Sequence, residues 1–258
     1  MRFASLGSGS KGNATLVEAG DARLLIDCGF GLRDTVRRLA RMGLEAGDLS
    51  SILLTHEHGD HAKGAEVLWR RFGIPVYGSF GTLLAVGFDP LHDKGLHPIV
   101  LDKPFSIAGV SILPVAVPHD AREPCQYLIR SGERSLGILT DLGMITPHVS
   151  QAYAHCDALY LECNHDLDML RAGPYPPSLK RRVGGNWGHL NNQQSAGLLQ
   201  QIDCGPIQHL VMAHLSEQNN TEVLARAAIE PALGTASGFN GSLHSANQAE
   251  GFDWLSIA

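Results

Sequence analysis

The string Thr55-His56-Glu57-His58-Gly59-Asp60-His61 sets three histidines and an aspartate within six residues. Imidazole and carboxylate are donors suited to Zn²⁺, and they also accommodate Mn²⁺ or Fe²⁺. A turn through this string lets His56 and His58 point one way and Asp60 and His61 another. One ion could be held by the first pair and a second ion by the other. A lone histidine is usually a hydrogen-bonded surface residue, but four donors this close together have few other uses. The chain carries 13 His in all, an abundance that points the same way.

The loop alone supplies too few ligands. Other polar residues stand where apolar runs end: His119 in VPHD after Val110–Val117, Asp141 after SLGILT, and His214 after HLVMA. The ends of buried strands are where α/β sheets commonly build their sites. Taken singly, each has an ordinary reading, as a turn residue, a helix N-cap and a polar strand end. Taken with the loop, they complete two three-ligand sets and add a carboxylate able to bridge them. Asp27 closes ARLLID in the same manner. It is expected to accept hydrogen bonds behind the ligand loop rather than to bind an ion.

Further residues offer a grip on an anion. Gly7–Asn13 (GSGSKGN) is a turn between two strands, and Ser8, Ser10 and Asn13 could present hydroxyl, amide or backbone donors. It lacks the Walker A spacing and opens no helix, and a plain hairpin turn explains it equally well. Lys180-Arg181-Arg182 is the densest basic run and could hold a phosphate backbone. Its plain alternative is a solvated helix face, which is the expected role of Arg37, Arg38 and Arg41. His189 belongs to neither ligand set, and with Asp60 it is a candidate catalytic residue. It is expected to hydrogen-bond a phosphate or protonate a leaving alkoxide. Asn164 and His165 follow the strand Ala158–Glu162 and are expected to face the same pocket. Trp187 could stack a base, though a core or rim aromatic is the commoner use. Cys28 and Cys163 neighbour these residues but read as small buried hydrophobes.

These residues need a scaffold that brings several strand ends together. Strands are expected at Arg2–Leu6, Ala14–Glu18, Ala22–Asp27, Ser51–Thr55 and Pro75–Tyr77, with helices over Gly31–Met42, Ala62–Phe72 and Gly81–Val86. A run of strands follows at Ile99–Leu101, Phe105–Ala108, Val110–Val115, Cys125–Arg130 and Ser135–Thr140. Then come a helix at Pro147–His155, a strand at Ala158–Glu162 and helical residues at Leu179–Val183. A helix at Gln193–Ile202, a strand at His209–Ala213 and a helix at Thr221–Ile229 complete the alternation. Gly234–Gly251 reads as a small polar tail, and FDWLSI as an edge strand. Both halves show hairpins followed by strand–loop–helix. That pattern implies an α/β fold of two sheets in a sandwich with helices outside.

Composition narrows the function. The 258 residues are 44% apolar, enough for a sizeable core and incompatible with wholesale disorder. A net charge of −6 opposes whole-surface attraction to nucleic acid or acidic membranes without excluding a local basic patch. The 5 Cys are odd in number and never spaced C-x-x-C, so a reducing cytoplasm is the natural setting. The opening MRFASLGSGSKGN carries no export signal, and no apolar window is long enough to cross a membrane. No protein partner is implied.

T-H-x-H-x-D-H, with a preceding strand-end Asp and later His, Asp and His, resembles the metallo-β-lactamase superfamily from Asp27 to His214. That resemblance implies a single domain over residues 1–258, a four-layer αββα metallo-β-lactamase sandwich with a two-metal site on its edge. It assigns His56, His58 and His119 to the first metal and Asp60, His61 and His214 to the second, with Asp141 bridging. The ions would be Zn, Mn or Fe. SLGSGSKGNATLVE, LECNHD, GHLNN and HLSEQNN are similar to the YycJ/WalJ/VicX group, with Asn191 where that group has Ser. The group implies a metal-dependent phosphodiesterase, with DNA exonuclease activity and nucleic acid as substrate. A hydroxide bridging two metals would attack the phosphodiester. The alternative is a small-molecule hydrolase of the same fold acting on a cyclic phosphodiester or a thioester. A regulatory protein without catalysis is opposed by the filled ligand positions. A β-lactamase is opposed by the missing export signal and by Asp60-His61.

Overall fold

The computed structural model describes residues 1–234 and 237–258, so part of the expected polar tail lies outside the described residues. The N-terminal half supplies β1 (Arg2–Gly7), β2 (Ala14–Ala19), β3 (Ala22–Ile26), β4 (Ser51–Leu53), β5 (Val76–Ser79) and β6 (Leu96–Ile99). Between them lie α1 (Leu32–Arg41), α2 (Gly59–Ala62), α3 (Ala65–Phe72) and α4 (Phe80–Val86). The C-terminal half supplies β7 (Phe105–Ile107), β8 (Val110–Ala116), β9 (Cys125–Ser131), β10 (Arg134–Leu139), β11 (Ala158–Glu162), β12 (His209–Ala213) and β13 (Ser242–Ser245). Its helices are α5 (Pro147–Ala152), α6 (Leu167–Ala172), α7 (Pro177–Val183), α8 (Asn192–Leu199) and α9 (Glu222–Ala232). The last strand, β14 (Phe252–Ser256), returns to the first half.

Among the described residues these strands form two seven-stranded sheets, ordered β14-β1-β2-β3-β4-β5-β6 and β13-β12-β11-β10-β9-β8-β7. Each sheet is antiparallel at one end and parallel at the other. In the first, β3 to β6 run parallel. In the second, β10 to β13 run parallel.

Side-chain alternation along the strands makes the layers. Leu24 and Ile26 of β3 join Tyr127 and Ile129 of β9 and Tyr160 of β11 in a core between the sheets. Their neighbours point outward. Leu25 meets Leu39 of α1, Leu68 of α3 and Leu83 of α4. Leu128, Leu159 and Leu161 meet Val149 of α5, Leu198 of α8 and Ile229 of α9. Each of these fully buried side chains contributes about 1.5–3 kcal/mol of burial energy. The sheets are also joined by polar bonds behind the histidine loop. The buried Tyr127 hydroxyl donates to the Leu54 carbonyl at 2.7 Å, and Cys125 N–H donates to the Thr55 carbonyl at 3.0 Å.

Three expectations change. The helix expected over Ala62–Phe72 starts later, as α3 at Ala65, with the separate turn α2 before it; between the two, Gly64 N–H donates to the Cys28 carbonyl at 2.7 Å. The strand expected at Ile99–Leu101 lies earlier, at Leu96–Ile99, where it pairs in parallel with β5. The polar tail contains β13, which pairs in parallel with β12. No helix among the described residues is long and apolar enough to cross a membrane.

Candidate metal centre

The alternating strand directions bring the ends of β1, β3, β4, β8, β10, β11 and β12 to one edge of the sandwich. The chain leaves β4 through Leu54 and Thr55 into the histidine loop. Asp27 directs that loop from the end of β3. Its carboxylate accepts from Thr55 N–H at 2.8 Å, from the Thr55 hydroxyl at 2.9 Å and from His61 Nδ1 at 2.8 Å. Thr55 Oγ1 lies 3.0 Å from His56 Nδ1. Both rings are thereby anchored at Nδ1 and turn Nε2 inward. Gly29 lets the loop seat closely, since a Cβ there would lie 1.7 Å from the Asp60 carbonyl oxygen.

Two donor sets result. His56 Nε2 and His119 Nε2 lie 3.0 and 3.3 Å from His58 Nδ1. His119 donates from Nδ1 to the Gly188 carbonyl at 3.0 Å, so its Nε2 carries a lone pair. Burial holds His56 and His119 below the usual imidazole range, which favours their neutral forms. In the second set, Asp60 Oδ2 lies 3.4 Å from His61 Nε2 and 3.6 Å from His214 Nε2. Asp141 reaches His61 Nε2 at 3.3 Å and His214 Nε2 at 3.4 Å, and it also groups with His56 and His61.

This arrangement fits divalent cations. Lone pairs and carboxylates converging without a cation would repel one another. Donors about 2.0–2.1 Å from a tetrahedral ion lie roughly 3.3–3.4 Å apart, close to the separations above. Asp141 Oδ2 and His214 Nε2 are buried and have no hydrogen-bond partner among the described residues. Burial alone would raise Asp60, but His214 and His61 hold its carboxyl far below the usual range. Burial also opposes Asp141, and His214 and His61 outweigh it. Burial disfavours charge on His61, yet Asp141 and Asp27 push its ring well above the usual range. The same negative potential attracts any cation.

Asp27, Asp141 and His214 have φ of 61°, 53° and 53°, a left-handed conformation uncommon for side-chain-bearing residues. The strand has to turn sharply at each point to send its polar side chain into the centre. Asn164 Nδ2 donates to the His214 carbonyl at 3.0 Å and lies 3.1 Å from His214 Nδ1.

Next to the second set lies a pair that the sequence only half revealed. His189 Nδ1 is 2.8 Å from Glu162 Oε1 and 3.4 Å from Asp141 Oδ1. Burial opposes charge on His189, but Glu162 and Asp141 raise its pKa to about 9. Glu162 also accepts from Leu142 and Leu190 N–H at 3.2 and 3.0 Å. Its signal was a charge ending the apolar run ALYLE, which cannot be buried without partners. Asp120 was also missed, although it stands beside His119 in VPHD. It pairs with Arg182 and lies 3.5 Å from His119 Nε2.

A cavity of about 360 Å³ opens over the centre. Of the residues expected to bind substrate, Ser10, Asn164 and Arg182 line it, as does His189. Ser8 does not. Its buried hydroxyl accepts from His214 N–H at 2.8 Å, so it fixes the backbone of a donor residue. Asn13 is buried, with Nδ2 3.0 Å from His61 Nε2 and 3.4 Å from Asp60 Oδ2. His165 is fully buried, its Nε2 has no partner among the described residues, and burial lowers its pKa to about 4. Lys180 donates from Nζ to the Arg171 carbonyl at 2.6 Å, and Arg181 is exposed beside it. Trp187 is exposed, which excludes the core role.

Comparison with known proteins shows the family. A family model described as a beta-lactamase superfamily domain matches residues 22–215. The chain belongs to the metallo-β-lactamase superfamily and shares its fold. Within it, the chain is 34% identical over 237 residues to exodeoxyribonuclease YycJ of Bacillus anthracis, covering 90% of this chain and 89% of that one. It is 30% identical over 240 residues to exodeoxyribonuclease WalJ of Streptococcus pneumoniae, covering 92% and 89%. In fold it is similar to the metallo-beta-lactamase fold protein YhfI from Bacillus subtilis, with a TM-score of 0.76, 18% identity and 99% of each chain covered.

Proposed function

We propose that the protein is a metal-dependent phosphodiesterase acting on nucleic acid, a DNA exonuclease that uses two divalent ions. His56, His58 and His119 would hold one ion and Asp60, His61 and His214 the other, with Asp141 shared. The observation that carries this reading is Asp141, a buried carboxylate within reach of both donor sets. Zn²⁺, Mn²⁺ or Fe²⁺ held there would polarise a phosphoryl oxygen and activate water near neutral pH. The chain's own groups handle the phosphate. His189, kept protonated at neutral pH by Glu162, lines the cavity and is placed to donate a proton to a non-bridging or leaving oxygen. Arg182, aimed by Asp120, adds a fixed positive charge at the rim. The substrate class is supported by the relatives named exodeoxyribonuclease.

A small phosphodiester or thioester substrate is the second reading, favoured by the net charge of −6. End-labelled duplex DNA decides between them. Protein loaded with Mn²⁺ or Zn²⁺ is expected to release nucleotides stepwise, while release by Asp141→Ala falls roughly thousandfold. No release at full metal occupancy would turn the assignment to the second reading.

A further inference from the structure

The cavity offers more than a phosphate needs. Four of its lining residues come from one short segment: Tyr175 in the turn before α7, then Leu179, Arg182 and Val183 on α7. The three helical residues stand at i, i+3 and i+4, so one face of α7 turns to the cavity. Arg182 answers the charge of a phosphate. An aromatic ring and two branched aliphatic chains do not; they gain by covering a flat or apolar group. The cavity's volume, about 360 Å³, lies in the range of small-ligand sites.

The segment is also stiff. Tyr175 precedes Pro176, which confines it to extended backbone, and Pro177 opens α7 with its φ fixed by the ring. Two bonds tie the helix down: Lys180 Nζ to the Arg171 carbonyl at 2.6 Å and His189 N–H to the Val183 carbonyl at 2.9 Å. The second bond links the apolar wall directly to His189.

The geometry points to a nucleoside subsite. Tyr175 stacks on the base of the terminal nucleotide, Leu179 and Val183 cover its sugar, and Arg182 and His189 meet its phosphate. This inference rests on the nuclease reading above and adds recognition of the base, which a bare phosphodiesterase would not need.

Two chromogenic esters with the same leaving group test it: thymidine 5′-(p-nitrophenyl phosphate) and methyl p-nitrophenyl phosphate. Stacking on an aromatic side chain predicts a KM about tenfold lower for the nucleoside ester in the wild type. Tyr175→Ala is expected to raise that KM about tenfold and leave its kcat unchanged. Turnover of the methyl ester stays the same, which also reports that the variant is folded. Tyr175→Phe keeps the preference. Equal KM values in the wild type, or a preference that survives Tyr175→Ala, would overturn the subsite and leave the phosphodiesterase standing. Failure of the fully metal-loaded wild type on both esters and on DNA would remove the nuclease reading, and the subsite with it.

Discussion

The two sheets reach the candidate metal centre by different routes. The first sheet delivers His56, His58, Asp60 and His61 in one loop after β4, braced from behind by Asp27. The second delivers one residue per strand end: His119 after β8, Asp141 after β10, Glu162 on β11 and His214 after β12. Its lone donors depend on their own backbones, and two of the three left-handed positions at the centre, Asp141 and His214, lie there. A loop shares one turn among several donors. Single strand ends have to be placed one at a time by the order and register of the sheet.

This contrast can be broken experimentally. The largest effect is expected at the shared carboxylate of the second sheet. Asp141→Ala should lower kcat roughly thousandfold, with reduced metal content by elemental analysis and an unchanged far-UV dichroism spectrum. Full activity in that variant would end the bridging assignment. Glu162→Gln should come next, with kcat down roughly hundredfold at retained metal content. Its pH profile carries the sign. Activity that needs protonated His189 falls as pH rises through about 9, and loss of the Glu162 charge should move that fall to lower pH. An unmoved alkaline limb would remove His189 as the acid.

The brace of the first sheet should matter less. Asp27→Asn is expected to weaken metal binding by about tenfold, with kcat recovered when metal is in excess. Loss of activity that excess metal does not restore would contradict a purely supporting role. The smallest difference is expected between Cys28 beside the first sheet's donors and Cys163 beside the second's. Burial pushes both thiols up to about 12. Neither should react with a thiol reagent at pH 8 until the protein unfolds, and rapid labelling of either would show that its side of the centre opens.

The same contrast explains what could be read from the residues alone. The histidine loop was legible because its donors are neighbours in sequence. His119, Asp141 and His214 were legible because each interrupts an apolar run. Glu162 was harder, since it is the last residue of its strand and its partners Leu142, His189 and Leu190 are distant in the chain. Ser8 looked like an anion donor. Only the packing of the two sheets, which brings the end of β1 beside the end of β12, shows its hydroxyl committed to His214 N–H. β13 was hidden because SLHS has little strand character of its own and is held by pairing with β12. The edge strand FDWLSI was visible, but not its partner, β1.

That last pairing bears on the order in which the protein can be finished. The Gly7–Asn13 turn borders the second donor set, and it is held by residues far along the chain. Ser8 N–H donates to the Asn247 carbonyl at 3.1 Å, Lys11 N–H to Gln248 Oε1 at 2.7 Å, and Gln248 Nε2 to the Gly12 carbonyl at 2.8 Å. β14, which follows directly, closes the sheet against β1. A chain leaving the ribosome N-terminus first holds its first strand and its histidine loop long before the residues that lock them emerge. The turn beside the second donor set can therefore be locked only after Asn247 and Gln248 have been made, well after the histidine loop.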